Sequence, residues 1–372
     1  MLEGLDQVDW ARLPHAYGPA DDVPGQIRAL RSSEASQRTD ALWQLYGNIF
    51  HQGTRYEATA YAVPFLLEVL AAPDTADRAG LLDLLANIAV GYDETWLPAG
   101  LPITEHRQAA IGGDALLAMT PRPGDDGYDE DEGDFQYLES LSGEDQNRLF
   151  AHVAVTAYDA VRVGVPLFRT LLTDLDPVVR TRAAYALAWF PEEASGSLSA
   201  LDAATSGNLA DSGNEVAAAT AMVATGLLRG RPPAAALNDP RPLVRWGAAI
   251  ALANVDGTAA SQAVVDELLA WTGAPTAATT TCPSSAATSR DTPDSHSARW
   301  VSGTSTPRST RYWPASLRCQ ACQRCPSSGR RSAWLSPQAP CLLAPPTRPS
   351  TPGNAASSTY WYSYQTSGGS MT

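Results

Sequence analysis

Two ten-residue segments constrain this chain more than anything else in it. Val179 to Ala188 reads V-R-T-R-A-A-Y-A-L-A, and Val244 to Ala253 reads V-R-W-G-A-A-I-A-L-A. They agree at seven positions with a constant offset of 65. Within the first, Val179, Ala183, Ala186 and Leu187 recur at helical spacing and make one buried stripe. An Asp stands six residues ahead of the Arg in each segment, Asp174 before Arg180 and Asp239 before Arg245, and Pro177 and Pro240 fall in the turns between. The offset is about two units of 32 residues, and a fixed period of roughly 20–50 residues is the mark of stacked repeats.

Weaker copies follow the same plan. Glu215-Val216-Ala217-Ala218-Ala219-Thr220-Ala221-Met222 lies midway between the two segments and opens an alanine-rich helix without the Arg. Arg38 precedes Ala41, Leu42 and Leu45, and Arg78 precedes Leu81, Leu82 and Leu85. Partner helices also echo: Val63-Pro64-Phe65-Leu66-Leu67 matches Val165-Pro166-Leu167-Phe168, and each Pro is expected in a first helical turn, where its missing N–H costs little. A helix pair of this kind cannot bury both its faces alone, so neighbours must stack on it.

The run Asp174 to Leu187 (D-L-D-P-V-V-R-T-R-A-A-Y-A-L) resembles a HEAT repeat of the phycobilisome-lyase type, and Asn238 to Leu252 (N-D-P-R-P-L-V-R-W-G-A-A-I-A-L) resembles a second. The resemblance implies an all-α fold, a HEAT-like α-solenoid of stacked helical hairpins over roughly residues 10–272, with no β-sheet. It also implies that Asp174 with Arg180, and Asp239 with Arg245, form a structural ladder of hydrogen bonds between repeats.

The chain divides into two parts at Pro275. Residues 1–275 hold 17 Arg against 38 Asp and Glu, a net of −21, while residues 276–372 hold 9 Arg against Asp291 and Asp294, a net of +7. There is no Lys in either part. All five cysteines (Cys282, Cys319, Cys322, Cys325, Cys341) lie after the division, together with one Val, four Leu and no Ile or Phe. So little apolar area cannot offset about 1–2 kcal/mol of backbone entropy per residue, and residues 276–372 read as a disordered Ser/Pro/Arg-rich tail. The abrupt switch fits either an out-of-frame translation of a GC-rich gene or a genuine polar tail. Cys319-x-x-Cys322-x-x-Cys325 resembles half of a metal site, but its flanks are Arg, Gln, Ser and Pro and not the compact apolar fold such sites need, so no metal is expected. No apolar run approaches the ~20 residues of a membrane span, and Met1 to Trp10 carries three acids and no base, unlike a secretory signal. A cytoplasmic protein is expected.

Candidate binding residues lie in two places. Trp43 to Tyr61 is dense in aromatic and polar groups: Trp43, Tyr46, His51, Arg55, Tyr56 and Glu57. It reads either as a recognition patch or as core filling by Trp43, Phe50 and Tyr61, with Gly47 and Gly53 at a helix end and a turn. The second place is an acidic loop, residues 122–134, with Asp125, Asp126, Asp129 and Asp131. Taken from Asp129, it puts Gly133 and Ser140 where a calcium loop needs ligands, so it reads as a solvated loop or a surface for a basic partner.

Little points to catalysis. His15, His51, His106 and His152 fall in no metal-ligand motif, and only His51 with Glu57 could form an acid–base pair. There is no phosphate loop or nucleophile elbow, and no cofactor is called for. The acidity disfavours nucleic acid, whose binding rests on Lys and Arg. The expectation is therefore a non-catalytic scaffold or adaptor whose concave face holds a basic protein. The alternative is an enzyme of bilin-lyase-like type, implied only by the resemblance.

Overall fold

The computed structural model describes residues 2–273 apart from 127, 130–132, 134, 208 and 211. The tail expected at 276–372, with its five cysteines, lies outside the described residues, as does Asp131. The described chain is mostly helical. Its helices are α1 (Val23–Ala29), α2 (Ala35–Asn48), α3 (Glu57–Ala71), α4 (Arg78–Val90), α5 (Ile103–Ala109), α6 (Gly113–Met119) and α7 (Phe135–Ser140). They continue as α8 (Gly143–Arg162), α9 (Val165–Leu171), α10 (Pro177–Leu187), α11 (Ala194–Ser206), α12 (Glu215–Leu227), α13 (Pro242–Asp256) and α14 (Gln262–Gly273). None of them is long and apolar enough to cross a membrane.

The expectation of no β-sheet is corrected in two places. β1 (Pro14–His15) pairs antiparallel with β2 (Gly18–Pro19), and β3 (Phe50–His51) with β4 (Thr54–Arg55). The second hairpin turns on Gln52 and Gly53, with φ of 50° and 87°. Positive φ at both central residues gives the turn whose twist matches that of the strands. Pro64 is a second correction: it sits inside α3 rather than in its first turn, whereas Pro166 does lie in the first turn of α9.

The echoing segments form helices that touch in series. α4 lies against α10, α10 against α12, α12 against α13 and α13 against α14, while α3, α9 and α11 flank α4, α10 and α12. The midway copy begins α12 at Glu215, although the three helices start unevenly, at Pro177, Glu215 and Pro242. The unevenness has a local cause. A short 3-10 turn, Ala234–Asn238, stands where α13 would have a full partner helix. Leu81 to Val90 of α4 and Thr181 to Leu187 of α10 are buried without a break, so these helices have neighbours on every face.

One edge of the series is tied by arginines. Arg38, Arg180 and Arg245 each donate through Nη1 to the carbonyls six and five residues earlier: Ser32 and Ser33 at 2.9 and 3.0 Å, Asp174 and Leu175 at 2.5 and 2.9 Å, Asp239 and Pro240 at 2.8 and 3.3 Å. Arg78 donates through Nη2 to a single carbonyl, that of Pro73 five residues earlier, at 2.7 Å. The guanidinium then reaches across to another hairpin. Arg38 meets Asp77 at 2.7 Å, Arg78 meets Asp174, Arg180 meets Asn214, and Arg245 meets Glu267 at 3.6 Å. Arg180 and Arg245 thus hold the carbonyls, not the carboxylates, of Asp174 and Asp239. The carboxylate of Asp174 takes Arg78 from 96 residues upstream, and that of Asp239 takes Arg241 at 2.9 Å.

The other edge is crossed by the stretch from Tyr92 to Leu101. Trp96 Nε1 donates to Val90 O at the end of α4 (2.7 Å), and the Tyr185 hydroxyl near the end of α10 donates to Asp93 (3.1 Å). Arg229, just past α12 with φ of 60°, donates to Ala99 O at 2.8 Å and to Asn254 O at 3.2 Å. This stretch opens a long insertion between α4 and α9. Its α8 lies against both α3 and α4 and carries α5 and α6.

Candidate functional site

The Trp43–Tyr61 segment spans the end of α2, the β3–β4 hairpin and the start of α3, and its residues divide between core and surface. Of the three aromatics offered to the core, Phe50 is buried, whereas Trp43 is 57% exposed and Tyr61 46% exposed. Tyr46 is half-buried, with its oxygen accepting from Asn87 Nδ2 at 3.2 Å. Burial first, and then the nearby Asp83 charge, push its phenol well above the usual range. Tyr56 caps α3, its N–H donating to Thr59 Oγ1 at 2.8 Å, while the Thr59 hydroxyl donates to Ile49 O at 2.7 Å.

His51 and Glu57 turn to different partners. His51 Nδ1 lies 3.2 Å from the hydroxyl of Tyr17, and the two rings meet edge-on at 5.2 Å, which joins the two hairpins. The Glu57 carboxylate accepts from Arg122 at 2.5 Å. Burial raises the Glu57 pKa against the pull of Arg122.

That ion pair brings the acidic loop to the segment. Arg122 opens the loop, and three residues on Asp125 accepts from the Arg122 N–H at 3.0 Å and from Arg12 at 2.7 Å. These two donors, the backbone N–H first, hold the Asp125 carboxyl below its usual range. Asp126 is exposed, and Asp129 is bridged to Gly133 through its backbone. The start of the loop is therefore docked on the N-terminal part of the chain, which the reading as a freely solvated loop had not included. Among the described residues no group of three or more His, Cys, Asp or Glu is placed to hold a metal ion.

Arg55 has an unusual setting. Its Nη1 donates to Gly53 O at 2.7 Å, and it stands where a Cβ on Gly91 (φ +74°) would be, 2.7 Å away. Only glycine leaves that space. Arg55 Nε is out of contact with water and has no hydrogen-bond partner; the same holds for His106 Nε2 on α5. Burial lowers the Arg55 pKa to about 10. Burial, and then the charge of Arg55, hold His106 below its usual range, with Glu105 opposing. Trp96 meets the His106 ring edge-on at 5.0 Å, and the Tyr92 ring covers Gly53.

A buried polar cluster escaped the sequence reading. Asp83 on α4 and Arg182 on α10 form an ion pair at 3.0 Å with side chains 7% and 11% exposed. Asn87 is bonded to Tyr46, and Tyr185 to Asp93, and the charges of the pair bear on both phenols. Burial, with Asp93 and Asp83 close by, drives the Tyr185 phenol far above its usual range. The available signal was a charge inside an apolar run, L-L-D-L-L-A-N, with Asp83 and Asn87 one helical turn apart.

A second charged group ties the insertion to the series. Arg107 on α5 donates to Asp159 on α8 at 2.7 and 2.6 Å and to Glu192 at 2.6 Å, and its guanidinium stands 5.8 Å from the centre of the Tyr158 ring. No family model, curated protein or solved structure matches this chain.

Proposed function

We propose that the chain is a non-catalytic scaffold that binds a basic protein through its acidic exterior, and that its helices form a HEAT-like α-solenoid interrupted between α4 and α9. The recurring arginine contacts along one edge support the repeat reading, since each joins one hairpin to another in the manner of stacked units.

The observation that carries the functional reading is where the cations are. Every one of the 17 Arg in residues 1–275 contacts a group of this chain: 14 of them a carboxylate, and Arg55, Arg180 and Arg229 a carbonyl or amide oxygen. With no Lys in the chain, no Arg among the described residues is left over to offset Glu3, Asp9, Asp21, Glu34, Asp40, Asp114, Asp126, Glu139 or Asp202, all exposed. An exterior of this sign attracts cationic surfaces and repels phosphate backbones. The exposed acids, with the exposed aromatics Trp43, Tyr61 and Tyr17, are the surface on offer.

The test is capture on the immobilised full chain at low and at high ionic strength. A basic protein should be held at low salt and released at high salt. A partner held equally at both, an acidic partner, or no partner at all counts against the reading.

A further inference from the structure

We propose that Arg55 and His106 together bind one oxyanion group, of the phosphate or carboxylate class, at the junction of the β3–β4 hairpin, the end of α4 and α5. The argument starts from unmet hydrogen bonds. A buried N–H without an acceptor forfeits the full cost of its desolvation, so orphaned donors are rare and call for a partner. Arg55 Nε is such an atom, and His106 Nε2 is another in the tautomer that carries its proton there. Both residues stand at the end of α4, Arg55 against Gly91 and His106 against the Trp96 ring that is tied to Val90 O.

The second strand is charge. A guanidinium stays protonated, and taking it out of water without a counter-ion is costly. Fourteen arginines of the described chain meet a carboxylate; Arg55 meets a single carbonyl, that of Gly53. Arg180 and Arg229 also lack a carboxylate, but they have three and two oxygen acceptors respectively. The carbonyl end of α4 beside Gly91 supplies about half a negative charge. A full unit of anion would complete the site, accepting from Arg55 Nε and from His106 Nε2–H. Both residues keep part of their surface in solvent, which gives a small ligand a way in. Gly53 and Gly91 leave room for the guanidinium, while the rings of Tyr92 and Trp96 hold the two sides in place.

The experiment uses the full chain, with inorganic phosphate and acetate as probes and chloride at matched ionic strength as reference. Phosphorus-31 line broadening reports phosphate binding directly, and the melting midpoint reports linkage. Phosphate at ten times its dissociation constant should raise the midpoint by about 3 °C. Arg55→Gln and His106→Gln should abolish both the broadening and the shift, while Arg28→Gln, at an exposed pair with Asp6, should retain them. A shift with acetate but not phosphate assigns the site to carboxylates. If the wild-type chain shows no broadening and no shift with either probe, or if all variants respond alike, the proposal is overturned. Should Arg55→Gln fail to fold, His106→Gln and the wild-type titration still decide it.

Discussion

α4 meets α10, and α12 meets α13, as neighbours in one series, yet the two contacts are built from opposite materials. Between α4 and α10 lie Asp83 and Arg182, with Tyr46, Asn87 and Tyr185 close by. Between α12 and α13 lie alanine and glycine: a Cβ on Gly247 would stand 2.6 Å from Ala219 O, and one on Gly226 2.5 Å from Ala251 Cα. The second contact gains from closeness, through dispersion and exclusion of water. The first gives up some of that gain for specificity. Chain connectivity supplies a physical reason. α12 and α13 follow each other almost directly, whereas α4 must find α10 across the whole insertion. A charge pair that tolerates only one register helps to select the right neighbour.

Four perturbations sharpen or break this contrast, taken in order of size. Asp83→Ala leaves Arg182 buried without its carboxylate and should cost about 3–5 kcal/mol in denaturant unfolding. Combining Asp83→Leu with Arg182→Met should regain most of that loss; a double variant as unstable as the single would show that the pair supplies net stability rather than selectivity. Gly247→Val drives a branched side chain into α12 and should cost about 1–3 kcal/mol, whereas Gly25→Ala in α1, with no atom within 4 Å of the new Cβ, should be neutral or stabilising. Equal effects at the two glycines would remove the close-approach argument. Arg180→Ala takes away one tie between hairpins and should cost about 1–2 kcal/mol, detectable as a lowered midpoint with an unchanged slope.

The smallest effect is a pH dependence from His106. Its folded-state pKa lies below the ordinary 6.5, so the folded chain holds fewer protons on this ring than the unfolded chain does. Its contribution is therefore complete above about pH 6.5 and is lost as the pH falls from there through the lowered value. Melting curves between pH 7.5 and about 5 should fall less steeply in His106→Gln than in the parent chain. The reverse slope would contradict the burial of the ring.

How much of this could be read in advance follows from the kind of signal each feature leaves. The helices beginning at Pro177, Glu215 and Pro242 were legible because an Ala-rich stripe and a leading Arg repeat. Charge and apolar content also made the tail's different composition plain. The arginine contacts were half legible: the Asp–Arg spacing is real, but a spacing of six shows only that two residues share a turn. It does not tell a carbonyl from a carboxylate, nor that Asp174 answers to Arg78. The two hairpins were not legible, because strands of two residues carry no alternation. Arg55 was named as one residue of an aromatic patch. Its pairing with His106 depends on the fold of an insertion that repeats nothing, and no periodicity points there.

The stretch from Tyr92 to Leu101 bears on how the molecule comes apart. In arrays whose units touch only adjacent units, an end can fray while the middle stands. Here Arg229 is tied to Ala99 across 130 residues of sequence, and the same stretch holds the ends of α4 and α10. Loosening α4, α10 or the end of α12 must strain contacts anchored in the others, so these helices should melt together, and cutting the chain between α4 and α9 should convert one transition into several.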